Sequence, residues 1–246
     1  IVGSLLPSDT ANGVWHKIHE PPLPAISLLI SGGHTQLIKV VATGDSPKSC
    51  KADYEIIGET QDDAVGEAFD KAARLLGLNY PGGSRLSMLA AEAREANIEA
   101  PLKLPRPMIS SKDLNFSFSG LKTAVLYAVR KAPKDMTREI DVNWKKGLAR
   151  EFEDAVTETL DSKLRDAIEK IDAKSIIVGG GVSANHNLRA AFAKTANEYG
   201  IPIVLPSRHI SGDNALMIAL AAALDSNSKK SGEKLRAQGT KRLGNI

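Results

Sequence analysis

At 246 residues and 26.2 kDa the chain has room for one large domain or two small ones. Apolar residues at 42% and charged residues at 25% are ordinary globular usage, which excludes wholesale disorder, collagen and coiled coil. The net charge is only +3; the single cysteine, Cys50, excludes an intramolecular disulfide and a cysteine-built metal site, and no apolar run approaches the ~20 residues of a membrane span. These features argue against membrane insertion and secretion and fit a reducing cytosol.

Residues 1–24 carry Pro7, Gly13, Pro21, Pro22 and Pro24 and no initiator methionine, so the start reads as the middle of a longer protein. From Ala25 the run AISLLI, the turn SGGH and the run TQLIKVV predict a hairpin hinged at Gly32-Gly33, with YEIIGE as a third strand. Val65, Ala68, Phe69, Ala72 and Leu76 recur at helical spacing, with Asp62 and Asp63 near the helix start and Gly77 at its end. Gly82-Gly83 opens a second predicted helix over 84–97, and 101–107 is an extended connector. NFSFSGLKT leads into a helix near Gly120. A long helix over 142–171 puts Phe152, Val156, Leu160, Leu164, Ile168 and Ile171 on one stripe. SIIVGGGVSANHN and then PIVLP read as strand, glycine turn, helix and parallel strand. Residues 213–225 predict an Ala-rich helix apolar enough to be buried, followed by a loose end. Two hairpin strands followed by helix-linked parallel strands is the order of an RNase H-like lobe.

Charge is unevenly spread: residues 51–100 net −5, residues 101–150 net +7 and residues 201–246 net +4. The middle block and the tail (Lys229, Lys230, Lys234, Arg236, Lys241, Arg242) suit a phosphate backbone or simply a solvated surface. Three glycine turns carry the chemistry: Ser31-Gly32-Gly33-His34, Gly82-Gly83-Ser84 and the run from Gly179 to Asn185. Glycine lets backbone N–H groups approach an anion without a Cβ in the way, and a helix N-terminus adds partial positive charge, so the three together suggest a nucleotide cradle. GGGVSAN is the strongest signal, joining a β-branched strand to a helix with Asn185 at the entrance. No lysine follows at Walker spacing. Asp70 suits a ribose hydroxyl or a neighbouring lysine, and Asp213 suits an N-cap or a metal ligand. His34 is either a phosphate contact or a buried, hydrogen-bonded histidine. His16-x-x-His19 precedes Glu20-Pro21-Pro22, which disfavours the helix a metal pair needs, and Cys50 has no neighbouring histidine to activate it.

Taken in order, LISGGHTQL at 29–37, GETQDDAVGEAFDKAARLLGLNYPGG at 58–83, FSFSGLKT at 116–123, GGVSAN at 180–185 and SGDNALMIA at 211–219 resemble the TsaD family. Its members are tRNA N6-adenosine threonylcarbamoyltransferases of the ASKHA (actin, Hsp70, sugar kinase) superfamily. The SGGH form is similar to the bacterial and mitochondrial branch. The resemblance implies an α/β fold, an actin-like, RNase H-like lobe with a mixed sheet and flanking helices, the first lobe being largely missing. It divides the chain into 1–22, a remnant of the first lobe and linker; 23–210, the second lobe; and 211–246, a helix returning to the first lobe plus a basic tail. The implied activity is transfer of threonylcarbamoyl from threonylcarbamoyl-AMP to N6 of adenosine 37 in tRNAs reading codons that begin with A.

By motif position the resemblance gives Leu29, Ile30, Ser31, Gly32 and Gly33 to the phosphate and acyl part of the adenylate. It gives Asp70, Gly83 and Asn185 to the ribose and adenine side, and Asp213 to a divalent metal, Fe2+ first with Zn2+ or Mg2+ as alternatives. The family's HxxGH metal motif is absent and by alignment would end just before Ile1, so the chain resembles the C-terminal two-thirds of the enzyme. Ser87 stands where many members carry an aspartate, and the usual C-terminal Trp-Pro is missing. Implied partners are tRNA and TsaB-like and TsaE-like subunits, with no membrane; the implied location is cytoplasmic, or alternatively the mitochondrial matrix. An acyl adenylate already holds a good leaving group, so the residue inventory of many amide donors and no credible nucleophile agrees with the family's chemistry. Three rivals are a metalloprotease of the O-sialoglycoprotein endopeptidase type, an ATPase or sugar kinase of the same superfamily, and a non-catalytic nucleotide-binding scaffold in a tRNA-modification complex.

Overall fold

The computed structural model describes residues 21–42, 52–134, 140–207 and 210–224. His16, His19, Cys50 and the basic tail lie outside them. Strands β1 (Ala25–Ile30) and β2 (Thr35–Ala42) form the expected antiparallel hairpin, and β3 (Ala52–Glu59) pairs antiparallel with β2 across a register shift at Leu37/Ile38. On the other side of β1, strands β4 (Ser175–Gly179) and β5 (Ile203–Val204) run parallel to it, giving the sheet order β3-β2-β1-β4-β5. This mixed five-stranded α/β sheet has the RNase H-like strand order that the sequence predicts.

Helices α1 (Val65–Leu75), α2 (Gly82–Glu95), α3 (Ser119–Arg130), α4 (Val142–Ile171), α5 (His186–Tyr199) and α6 (Ala215–Leu224) complete the described fold. The 30-residue α4 is the spine. Its stripe of Phe152, Val156, Leu160, Leu164 and Ile168 is buried against β1 residues Ile26, Leu28 and Ile30, and Phe69 of α1 meets Phe152 edge-on at 5.1 Å. Burying such side chains stabilises by roughly 1.5–3 kcal/mol each, which is why a half-polar helix of this length stays in place. The opposite face of the sheet carries a smaller apolar cluster of Ala25, Ile38, Val40 and Ile177, with Leu29 packed beside it.

Two expectations differ from the structure. Helix α2 starts at Gly82 rather than 84, because the Asp70 carboxylate accepts the N–H groups of both Gly82 and Gly83 at 2.9 Å and so caps a start that has no capping side chain of its own. Helix α6 is not buried: every residue from 215 to 222 is exposed or only half-covered, and Ile218 is 65% exposed. An all-apolar pattern reports a helix that needs cover; it does not say that neighbouring elements supply it.

Candidate nucleotide site

Two of the glycine turns meet because β1 and β4 are parallel neighbours. Leu29 is opposite Gly179, so the SGGH turn and the GGGVSAN turn leave the sheet side by side at the carboxyl ends of their strands, where open α/β sheets bind ligands. The approach is close. Gly180 has φ +89°, and a Cβ there would collide with the Ile30 carbonyl oxygen. Only glycine satisfies both the backbone angle and the contact.

Ser31 builds its own turn, its N–H donating to the His34 carbonyl at 2.8 Å and its Oγ accepting the N–H groups of Gly33 at 3.3 Å and His34 at 3.0 Å. Helix α1 then starts against that turn. The Gly66 N–H donates to the Ser31 carbonyl at 3.2 Å, the Val65 N–H donates to Thr35 Oγ1 at 2.8 Å, and a Cβ at Gly66 would stand 2.7 Å from the Ser31 oxygen. The N-terminal end of the α1 dipole therefore lies beside the turn. Around this packed framework Gly32, Gly33 and Gly181 have open space where a Cβ would stand. Ile30 is fully buried and can offer a ligand only its backbone, whereas Leu29 is half-buried with the opposite-face cluster. His34 is exposed, which overturns the reading of a buried histidine.

The third turn joins through Asp70. Its Oδ1 is committed to the α2 amides, and the neighbouring Lys71 instead pairs with Asp63 at 2.6 Å and Glu67 at 2.7 Å, so the lysine partner considered for Asp70 is overturned. Gly83 follows directly, half-buried over Phe69. Asn185 caps α5 by accepting the Leu188 N–H at 3.0 Å, and its Nδ2 donates to Ser87 Oγ at 2.8 Å and to Glu153 Oε1 at 2.6 Å. Both Nδ2 protons are thus spent, and the Oδ1 keeps one lone pair for a ligand.

Glu153, 2% exposed, is the residue that sequence reasoning missed. It accepts from Asn185 and from Arg94 Nη1 at 2.5 Å, and Arg94 also holds Asp154, so the buried carboxylate is fully partnered. No local pattern announces a contact between residues 32 and 98 positions apart. Ser183, 1% exposed, has a hydroxyl with no partner among the described residues, and Arg189 ties that turn to the segment after β5, its Nε donating to the Ser183 carbonyl at 2.5 Å and its Nη2 to the Pro206 carbonyl. Asp62 was expected to favour its own helix start. Instead it accepts from the Ser117 and Ser119 hydroxyls at 2.6 Å and from the Phe118 and Ser119 amides, capping α3 from a distance. Partial burial alone would raise the Asp62 carboxyl, but these four donors outweigh it and hold it below its ordinary value.

Asp213 is exposed and does not cap α6; Asn214 does, accepting the Met217 N–H at 3.0 Å. Among the described residues no three His, Cys, Asp or Glu side chains converge, so a lone exposed carboxylate is not by itself a metal-holding donor set. Part of the basic block is neutralised: Arg106 pairs with Glu151 and Glu158, Lys146 with Glu92 and Arg150 with Asp154. No helix of the described residues is long and apolar enough to cross a membrane.

The family model for TsaD, described as tRNA N6-adenosine threonylcarbamoyltransferase, matches residues 10–220. Curated relatives bearing that same description include proteins of Burkholderia thailandensis, 48% identical over 83% of this chain and 56% of the relative, and Dichelobacter nodosus, 47% identical over 83% and 54%. The Nitrosospira multiformis relative is 44% identical over 86% of this chain and 57% of its own length. Among solved structures, one described as T.kodakarensis HypF aligns with a TM-score of 0.48 at 17% identity, over 72% of this chain and 21% of that one. The chain spans about half the length of the curated relatives it matches. Because the family model covers residues 10–220, most of the chain, and relatives of the same description are 44–48% identical over 83–86% of it, the chain belongs to the TsaD family.

Proposed function

We propose that this chain supplies the adenylate-holding lobe of a threonylcarbamoyltransferase acting on tRNA. In this reading N6 of adenosine 37 attacks the carbamoyl carbon of threonylcarbamoyl-AMP, a C–N bond forms, the acyl–phosphate C–O bond breaks, AMP leaves with the electron pair, and the N6 proton passes to solvent. The observation that carries the reading is the pairing of two glycine turns at the carboxyl ends of β1 and β4, with Gly32, Gly33 and Gly181 facing open space, in a chain of this family. The Ser31-Gly32-Gly33 turn and the Gly181 end of the short 3-10 helix Gly181–Ala184 serve the phosphate and acyl part with backbone amides. Asp70, through its uncommitted oxygen, Gly83 and Asn185 serve the ribose and adenine side, and Leu29 and Ile30 contribute main chain.

A divalent metal belongs to the same proposal, Fe2+ first, with Zn2+ or Mg2+ as alternatives, and when bound it supplies Lewis acidity. Asp213 is its ligand in this reading, but the described donors do not complete a site, so no step is routed through it. The same proposal has residues 23–210 as the second actin-like lobe, α6 returning to a first lobe, TsaB-like and TsaE-like subunits as partners, and a cytoplasmic location. The metalloprotease and scaffold readings gain no supporting observation among the described residues.

Calorimetry with AMP and with a threonylcarbamoyl-AMP analogue tests the cradle. Gly181→Val, whose side chain enters open space, should weaken adenylate binding at least tenfold while leaving the fold intact. Binding unchanged in Gly181→Val and in Gly33→Val would refute the assignment.

A further inference from the structure

Among the described residues some cations of the basic block are paired and others are not. Arg106, Lys146 and Arg150 are tied to carboxylates on α2 and α4. Arg130, Lys131 and Lys134, at the carboxyl end of α3 and just beyond it, are exposed and form no ion pair among the described residues. No Asp or Glu occurs from Leu114 to Lys134, a stretch carrying Lys122 and these three cations. Tyr127 stands in the middle, 57% exposed, on the same helix face as Thr123, Arg130 and Lys131 by i, i+3 and i+4 spacing, with the Arg130 guanidinium 5.9 Å from its ring centre. Cations at a helix C-terminus need no partner to be favourable, because they meet the negative end of the dipole. An exposed tyrosine among them has no such reason.

We infer that the Thr123–Tyr127–Arg130–Lys131 face of α3, with Lys134, is a platform for single-stranded RNA, the tyrosine ring stacking an unpaired base while the cations follow the flanking phosphates. The inference rests on the tRNA reading of the preceding section and names the surface that would take the loop. Aromatic faces stack bases without regard to sequence, and cations set around a ring select a polyanion that carries bases over a hydrophobic peptide. The position is consistent with that role. The N-terminal end of α3 is held by Asp62, two residues past Thr60, whose N–H donates to the Thr35 carbonyl at the start of β2, one residue past the SGGH turn. Tyr127, eight residues past the start of α3, lies about 12 Å along the helix axis from that end. In this inference the target base enters beside the SGGH turn and the nucleotides flanking it lie along α3.

The test is fluorescence anisotropy with an RNA hairpin carrying an anticodon-type loop, against the same RNA closed into a duplex, over a range of salt. Adenylate binding is followed separately by calorimetry. Tyr127→Ala should weaken hairpin binding roughly tenfold or more, Tyr127→Phe should restore it, and neither should change adenylate affinity. Lys131→Ala and Lys134→Ala should each lower the salt slope by about 0.7, whereas Lys146→Ala, whose cation is already paired, should leave it unchanged. Equal hairpin affinity in the parent and all α3 variants overturns the platform while leaving the adenylate reading standing. Equal loss with hairpin and duplex, or competition by polyglutamate at matched charge, assigns the face to a bare polyanion or an acidic protein and also overturns it.

Discussion

Glycines that look alike in the sequence divide into two kinds once their surroundings are known. Gly180 and Gly66 press against main chain, while Gly181 and Gly32 face open space. Gly180→Ala should therefore cost roughly 2–3 kcal/mol in urea denaturation, from a strained φ and a displaced β1 carbonyl. Gly181→Ala should stay within about 0.5 kcal/mol of the parent and show its effect in ligand affinity alone. Asp62 makes a second residue-scale prediction. Its carboxyl is held below its ordinary value in the fold, so its contribution is present above the unfolded carboxylate value near about 3.9 and is lost as the pH falls through the lower folded value. Asp62→Asn should flatten stability against pH below about pH 4, and Asp62→Ala should cost about 1 kcal/mol at neutral pH as a lost cap, both read from denaturation midpoints across pH.

Several elements depend on groups far away in the chain. The 108–115 loop is fastened by Lys163 of α4, fully buried, whose ammonium donates to the Ser111 carbonyl at 2.7 Å, Ser111 Oγ at 2.9 Å and the Asp113 carbonyl at 2.7 Å. All three protons are given away, so this lysine is a strut and not a base for Ser111. Lys163→Met should lower the urea midpoint by an amount equivalent to roughly 2–4 kcal/mol, because two carbonyls lose their donor. What the sequence made legible follows the same division. The hairpin, the α1 stripe and the bounds of α4 were readable because period and turn chemistry are local. The true start of α2 and the cap on α3 were not, since Asp70 and Asp62 act across 12 and more than 50 residues. In the candidate site the glycine turns were legible as turns, but their meeting across β1 and β4, and the Ser87–Asn185–Glu153 link behind them, exist only in the folded chain.

For the molecule as a whole, the packed centre and the apolar helix α6 should respond in opposite ways to substitution. Leu160→Ala, in the middle of the spine, should cost roughly 2–5 kcal/mol, whereas Ile218→Lys should leave the denaturation midpoint of the lobe within about 0.5 kcal/mol, because Ile218 buries little. A larger loss at Ile218 would show α6 packed where it here stands open. The pairing of β1 with β4 has a further consequence during synthesis. Ala25 must find Ser175, so the strand at the middle of the sheet waits for a neighbour made 150 residues later. At about 5–20 residues per second the ribosome takes roughly 8–30 s to deliver it, and throughout that interval one edge of the first hairpin is unpaired. The helices α1 to α4 emerge in the meantime and can cover the face of that hairpin, but none can supply its missing hydrogen bonds, so nascent chains halted before β4 should be the ones that chaperones hold longest.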